Sequence, residues 1–296
     1  MVKVIQIGPN NYSSYLEEIK DSIELIAVSS SVILESEKKF PDGHNYFFKA
    51  VASNGLVVHF VFRVYRHIIP VFAMSSTALE GHIESDLFSM FGEVFKQIEG
   101  FHQIQNFIIH GPSYITRIFN KWRVTITGTV EQEYPCCLYY MTPIQMELTL
   151  NFKKQLPAGY HLSDDISSAD SNFINGTWRH ARKGDEQQTA AKFRHLPFAC
   201  AKTETGHPAS FVMTDPSGFL NHLFTLEEDR RKGLGLIVEI ECCKKTIREG
   251  RIPYKTVEHY NTLSLKASDQ SPYYTRWNYP NGEAIDYLFI AFSPNV

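Results

Sequence analysis

No stretch of this 296-residue chain approaches the roughly 20 consecutive apolar residues that a membrane span requires. Its 29 lysines and arginines are scattered, with no long basic run, and against 32 acids they leave a formal net charge of −3. That balance gives no electrostatic footprint for nucleic acid or an anionic membrane. Cysteine is scarce and poorly spaced: Cys136, Cys137, Cys200, Cys242 and Cys243 form two adjacent pairs and a singleton, with no CxxC. An odd count in that arrangement fits neither a disulfide framework nor a zinc site, and it predicts free thiols in a reducing compartment. The 12 histidines include no HExxH and no paired His/Cys spacing, so no metal is expected. The N-terminus has no apolar signal core, and Glu17, Glu18 and Asp21 oppose a cleaved Arg-rich leader. An intracellular protein is expected, in which the sequons at Asn11 and Asn175 are chance matches. The P-loop pattern GxxxxGK[ST] is absent, and so is a complete GxGxxG.

What is present describes a soluble globular chain, 43% hydrophobic and 21% charged, long enough for two ordinary domains or one large one. "GLVVHFVFRVY" (55–65) reads as a strand, dense in β-branched and aromatic residues. "SDLFSMFGEVFKQIEG" (85–100) sets Leu87, Phe88, Phe91, Val94, Phe95 and Ile98 on one helical face and ends at Gly100 as a C-cap. Strands follow at 105–113 and 135–141, then a helix through Thr149. "QLPAGY" (155–160) is the best boundary, dividing 1–157 from 158–296.

Beyond it come a short strand, "YHLSD", and a helix over "SADSNFINGTWRH" capped by Ser168 or Asp170. A second helix, "DEQQTAAKFRH", is capped by Asp185. Three strands fill 198–226, turning at Thr205-Gly206-His207 and Asp215-Pro216-Ser217-Gly218. A helix from Leu234 to Arg248 buries Leu236, Ile237, Ile240, Cys243 and Ile247, with Glu239, Glu241, Lys244 and Lys245 toward water. "YKTVEHY" is a further strand, "NTLSLKASD" a short helix, and "YYTRWNY…EAIDYLFIAF" a closing pair of strands.

The chemistry concentrates between the third of those strands and the long helix, in "EEDRRKGLG". The first N–H groups of a helix have no partner within it, and the macrodipole places about half a positive charge there. Gly233 and Gly235 remove the Cβ atoms that would hold a phosphate off that backbone, and Arg230, Arg231 and Lys232 add charge. The pattern R-x-x-G-x-G is short, and a glycine-rich helix start without a ligand is the competing reading.

The order of elements resembles the acyl-CoA-binding domain of the GNAT superfamily of N-acyltransferases, with Arg230, Gly233 and Gly235 on the pyrophosphate-loop positions. Residues from about 135 to 265 are similar to glycine N-acyltransferase and its relatives. The stretches that match are "PCCLYYM", "INGTWRHARKGDE", "LPFACAKTETGHPASFVMTDPSGFLNHLFTLEEDRRKG" and "GRIPYKTVEHYN". The resemblance is weaker over 1–134, and from about Tyr273 the sequence departs from it. It implies an α/β (α+β) fold: a mixed, mainly antiparallel sheet flanked by helices, preceded by a related α/β domain without a phosphate loop. It also implies a reaction in which an amine, such as that of an amino acid, attacks the thioester of acyl-CoA, with CoA a cosubstrate and no metal. Acyl-CoA would lie along Leu223, Phe224, Thr225 and Leu226 and on Arg230, Arg231, Lys232, Gly233, Leu234 and Gly235. Asn261 would touch the pantetheine arm or merely cap the next helix. The strands 218–226 and 254–260 would be parallel and splayed, exposing N–H groups to the developing oxyanion. The resemblance favours the mitochondrion, with the cytoplasm as alternative, and a monomer, with neither nucleic acid nor membrane insertion.

One residue departs from the pattern. The family's general base is a glutamate after the glycine of the Asp-containing turn, where this chain has Phe219. Phenylalanine accepts no proton. The replacements within reach in sequence are His222, favoured if a bulge turns it toward the gap, Asn221 positioning a water, and Glu258 or His259 through a water. His222 as base would titrate near ~6.5. Trp178 belongs to the core or to a substrate pocket, and Tyr273 and Tyr274 are either packing or proton donors to the departing thiolate. Phe219 also predicts an acceptor other than glycine. A catalytically weak acyl-CoA-binding module is the competing reading.

Overall fold

A computed structural model describes residues 2–66, 69–76, 84–127 and 132–292. The first half runs β1 (Val2–Ile7), α1 (Tyr12–Ile19), α2 (Ile26–Ser36), β2 (Gly43–Ala52), β3 (Val57–Tyr65), β4 (Val71–Ser76), α3 (Glu84–Phe95), β5 (Phe107–Pro112), α4 (Ser113–Thr127), β6 (Gln132–Tyr140) and α5 (Pro143–Leu150). The second runs β7 (Tyr160–Ser163), α6 (Ser168–Gly176), α7 (Asp185–His195), β8 (Phe198–Thr203), β9 (Pro208–Thr214), β10 (Leu220–Thr225), α8 (Leu234–Arg248), β11 (Tyr254–Glu258), α9 (Thr262–Asp269), β12 (Thr275–Arg276) and β13 (Asp286–Phe292).

These strands join one sheet in the order β1-β2-β3-β4-β5-β13-β6-β11-β10-β9-β8-β7, with β12 on β6. β1 to β4 are antiparallel neighbours and β5 joins β4 in parallel. β7 to β10 repeat that arrangement, and β11 joins β10 in parallel. The sixth strands are exchanged: β13, from the end of the chain, pairs with β5, while β6 pairs with β11. β6 and β13 also pair with each other, so the ladder runs unbroken from one half to the other.

The exchange is fixed by burial. Leu288, Ile290 and Phe292 of β13 enter the first-half core, with Phe72, Phe91, Phe95, Phe107 and Phe119. Phe107 and Phe292 stack with ring centroids 4.2 Å apart. Each fully buried side chain of this size is worth about 2–3 kcal/mol over exposure, so the last strand contributes directly to a core whose other buried members lie between Phe48 and Trp122. In the second half, β9 is buried at every position, and α8 covers it with Leu234, Val238, Cys242 and Cys243.

Several elements differ from expectation. α3 ends at Phe95, because Gln97 and Ile98 bond three residues back to Val94 and Phe95 in a tightened turn; Gly100 opens the short helix that follows. α6 is capped by Ser167, whose hydroxyl receives the Asp170 N–H while the Asp170 carboxylate receives the Ser167 N–H. It stops at Gly176, leaving Trp178 to His180 in a loop. Gly184, with φ +100°, caps α7, and Asp185 is its first residue. On α8, Leu236 is 38% exposed, whereas Glu239 and Lys244 are buried. Both are buried because they are paired, Glu239 with Lys255 at 2.6 Å and Lys244 with Glu241 at 2.7 Å. The two closing segments meet only at the antiparallel Asn278–Ala284 bridge, and β12 and β13 themselves both lie on β6.

A buried polar cluster docks the Asp215–Gly218 turn of the second half on the first. Arg63, on β3, donates to Ser217 Oγ at 2.6 Å and Ser31 Oγ at 2.9 Å, and lies 3.6 Å from Asp215. Lys192 of α7 holds the other Asp215 oxygen at 3.0 Å. Burial would raise the Asp215 carboxyl, but the two cations outweigh it and hold it below the ordinary value. His110, on β5, bridges Ser217 Oγ at 3.2 Å and the Tyr287 hydroxyl at 2.7 Å.

Burial, reinforced by the Arg63 charge, lowers His110 to about 3; burial also lowers His59 and His222 to about 4. Each folded value lies below the ordinary 6.5, so on acidification the unfolded chain takes the proton first. The stabilisation is complete above pH 6.5 and is lost as the pH falls toward 4, at roughly 2 kcal/mol per histidine by about pH 5. The urea midpoint is therefore expected to fall substantially between about pH 7.5 and about pH 5. An unchanged or higher midpoint at the lower pH contradicts this account.

Candidate active site

β10 and β11 run parallel but share one register pair, Leu220 with Lys255. Beyond that pair β10 carries a bulge: Asn221 faces Met213 and Phe224 faces Phe211, so three steps on β10 match two on β9. The extra residue is accommodated at His222, which has a left-handed φ of 57°. The strands diverge there, and a cavity of about 1430 Å³ opens along the gap. At one end it meets Gly235 and Leu236 at the start of α8; on the other side it reaches Ile108 and His110 of the first half. The expected splayed pair is therefore present, and the bulge is on it.

At the α8 end, Gly233 is the cap residue with φ +83°, a conformation that favours glycine. A Cβ on Gly235 would stand 3.3 Å from Thr225 Oγ1, at the end of β10. Ile237 makes the bond back to the Gly233 carbonyl at 3.3 Å, so the N–H groups of Leu234, Gly235 and Leu236 precede the helical ladder. This is an anion site in the making: aligned donors, a positive helix end and no Cβ above them.

The three neighbouring bases are used differently. Lys232 pairs with Asp229 at 2.8 Å and donates to the Tyr160 hydroxyl at 2.5 Å, which ties the loop to β7. Arg230 donates from Nε to the Thr225 carbonyl at 3.1 Å. Arg231, exposed and with φ +64°, makes no hydrogen bond or ion pair among the described residues. Lys154 was not foreseen: its ammonium lies 3.2 Å from where a Cβ on Gly233 would stand. It stands just before the Pro/Gly boundary and in no motif, and only the tertiary fold brings it to the loop.

Leu223 and Phe224 border the cavity, Thr225 hydrogen-bonds Ser210 at 2.8 Å, and Leu226 donates its N–H to Ala209 O at 2.9 Å. The Leu234 side chain is buried in the α8 core, so only its N–H can serve a ligand. Asn261 caps α9, accepting the Ser264 N–H at 3.2 Å, while also bordering the cavity. Glu239 and Lys255, paired across the back of the gap, border it too.

Among the residues considered for proton transfer, Asn221 and His222 border the cavity. His222 Nε2 lies 3.0 Å from Thr177 Oγ1, and the ring is enclosed by Phe211 and Trp178, which explains its lowered pKa of about 4 in place of the expected ordinary value. His259 turns the other way and pairs with Asp286 of β13 at 3.3 Å. Tyr274 is fully enclosed, with its hydroxyl 3.2 Å from Cys243 Sγ, whereas Tyr273 borders the cavity. Phe219 also faces the cavity, packed against Phe289, Tyr254 and His110.

Glu258 meets a residue that sequence reasoning passed over. His180 Nε2 lies 3.1 Å from Oε1 and 3.3 Å from Oε2 of Glu258, and the Tyr260 hydroxyl also bonds that carboxylate. Burial would raise the Glu258 carboxyl, but these hydrogen bonds and the Arg179 charge hold it below the ordinary value. The helical reading of 168–180 hid His180; the stop at Gly176 is what delivers it and Trp178 to the cavity. Among the described residues no group of three or more His, Cys, Asp or Glu side chains is placed to hold a metal ion.

No protein-family model matches the chain. Among solved structures, a Drosophila protein superposes over 99% of both chains with a TM-score of 0.76 at 14% identity. A tandem GNAT protein from the clavulanic acid biosynthesis pathway matches 100% of both chains, with a TM-score of 0.52 at 10% identity. A GCN5-related N-acetyltransferase from Kribbella flavida matches over 93% of this chain and 98% of its own, with a TM-score of 0.53 at 11% identity. At such identities the likeness is one of architecture, and the chain has the mixed, mainly antiparallel α/β fold of GNAT proteins.

Proposed function

We propose that the protein is an acyl-CoA-dependent N-acyltransferase that acylates a small amine with a bulky apolar portion. The observation that carries this reading is the continuity of one cavity from the unserved N–H groups of α8 to the splayed β10–β11 gap. The helix end would take the pyrophosphate, with Arg231 and Lys154 adding charge. The pantetheine arm would follow the open strand edges past Asn261, and the thioester would meet backbone donors at the bulge. A neutral amine entering from the other side would attack the carbonyl carbon and displace CoA as its thiol.

The resemblance to glycine N-acyltransferase suggests an amino-acid acceptor, but Val71, Ile108, Phe219, Phe289 and Ala291 give the far side of the cavity an apolar stretch of wall, beside the polar Arg66, His110 and Asp215. Glycine has nothing to bury against such a wall. We also infer an intracellular site, mitochondrial by resemblance or else cytoplasmic, in keeping with five free, buried thiols. Phe219, in place of a carboxylate, favours the second reading, an acyl-CoA-binding module without turnover.

Two measurements separate and test these readings. Gly235→Glu puts bulk and negative charge at the anion site, and calorimetry is expected to show CoA binding weakened by more than about tenfold, or ~1.4 kcal/mol. One CoA per chain is expected, since residues 1–157 hold no R-x-x-G-x-G. Unchanged affinity in the folded variant would remove the loop assignment. With an amine panel and acetyl-CoA, free thiol should appear together with an N-acyl product. An apolar amine such as 2-phenylethylamine should exceed glycine in kcat/KM by about tenfold or more. CoA binding without acylation of any amine favours the binding module, and an equal rate with glycine contradicts the apolar acceptor.

A further inference from the structure

We propose that His180, oriented by Glu258, is the general base of the transfer, an assignment that rests on the acyltransferase reading above. A carboxylate only accepts hydrogen bonds, so the imidazole nitrogen facing Glu258, Nε2 at 3.1 Å, carries the hydrogen. Nδ1 then keeps its lone pair, and no group among the described residues occupies it. This is the arrangement a base requires: one nitrogen fixed by an anion, the other open to substrate.

The surroundings hold the ring in that pose. Tyr134 meets it edge-on at 5.5 Å and Trp178 at 6.2 Å, both at the cavity wall. Arg179, which turns its guanidinium over the Tyr260 ring at 4.2 Å, and Tyr260 itself complete the polar surroundings of Glu258. Glu258 lies three residues beyond Lys255 on β11, about 10 Å past the last backbone pairing at ~3.3 Å per residue, on the open part of the gap. The alternatives are less able. Phe219 has no lone pair. His222 also has Nε2 engaged, but its partner is the neutral Thr177 hydroxyl rather than an anion, and burial against Phe211 and Trp178 disfavours its protonated form.

The step balances without another reactant. His180 Nδ1 takes one proton from the acceptor ammonium, and the freed nitrogen lone pair forms the N–C bond to the thioester carbonyl. The tetrahedral intermediate expels CoA as thiolate by breaking the C–S bond, and the second nitrogen-bound proton passes to that sulfur. The imidazolium releases its proton to solvent, so each turnover yields one amide, one CoA thiol and one proton.

The test uses the full chain with acetyl-CoA and the best amine of the panel, read by thiol release. His180→Ala should lower kcat/KM by ~10²–10⁴. Its CoA affinity, measured by calorimetry, should stay within about twofold of wild type, because the pyrophosphate end is untouched. Added imidazole should restore about tenfold of the lost rate, which a structural role would not allow. Glu258→Gln should lose about tenfold or more, because the ring is no longer held by an anion. If His180→Ala does not fold, His180→Gln, which keeps a donor toward Glu258, gives the same readout without the rescue. His180→Ala retaining most of the wild-type rate overturns the assignment alone, as does a hundredfold loss on His222→Ala with His180→Ala unaffected. Wild type that binds CoA but acylates no amine overturns the acyltransferase reading and the assignment with it.

Discussion

A single backbone pairing, Leu220 with Lys255, joins two parallel strands at the centre of the sheet, and the site exists because that pairing goes no further. Unpaired backbone groups in a protein interior must find partners elsewhere. β11 can leave one edge open because its other edge is fully laddered to β6, from Tyr254–Tyr140 to Glu258–Cys136. The pivot is held from two sides. Lys255 is ion-paired to Glu239 of α8 at 2.6 Å, and Tyr254 donates to the Ser217 carbonyl at 2.6 Å. The bulge at His222 then turns β10 away, converting a strand edge into a cavity wall.

The exchange of β6 and β13 ties this opening to the rest of the chain. The strand that supports β11 comes from the first half of the sequence, and the strand that completes the first-half core comes from the last residues. The cavity therefore has walls from both halves, with Ile108 and His110 on one side and Leu220 to Phe224 on the other. The Arg63–Asp215–Lys192 cluster fixes the turn that leads into β10, so the first half sets the position of Phe219 without itself providing a phosphate loop pattern. Breaking one member of such a buried cluster leaves a charge unpaired, which is costly in a protein interior.

The second half was largely legible because its signals are local. The β8–β9–β10 meander follows from β-branched and aromatic runs punctuated by Gly206 and Gly218, and α8 follows from its apolar period after Gly233. The glycine loop could be placed because its backbone chemistry needs no tertiary partner. What was not legible is what only long-range pairing decides. The strand exchange leaves no trace in periodicity, since β6 and β13 read as ordinary strands on either side of the boundary. Glu239 and Lys244 read as solvent-facing because charge alone does not reveal a buried partner. His180 was missed because Ser168–His180 reads as one helix; Gly176 ends it, a stop that a single glycine does not announce.

Hydrogen–deuterium exchange with and without acetyl-CoA tests the central claim most directly, since the account ties the ligand to backbone N–H groups rather than to one side chain. Protection is expected at 221–225, 232–237 and 255–258, with β1 to β3 unchanged. Protection confined to the first half, or none at the start of α8 under saturating acetyl-CoA, would contradict the placement of acyl-CoA in the splayed gap.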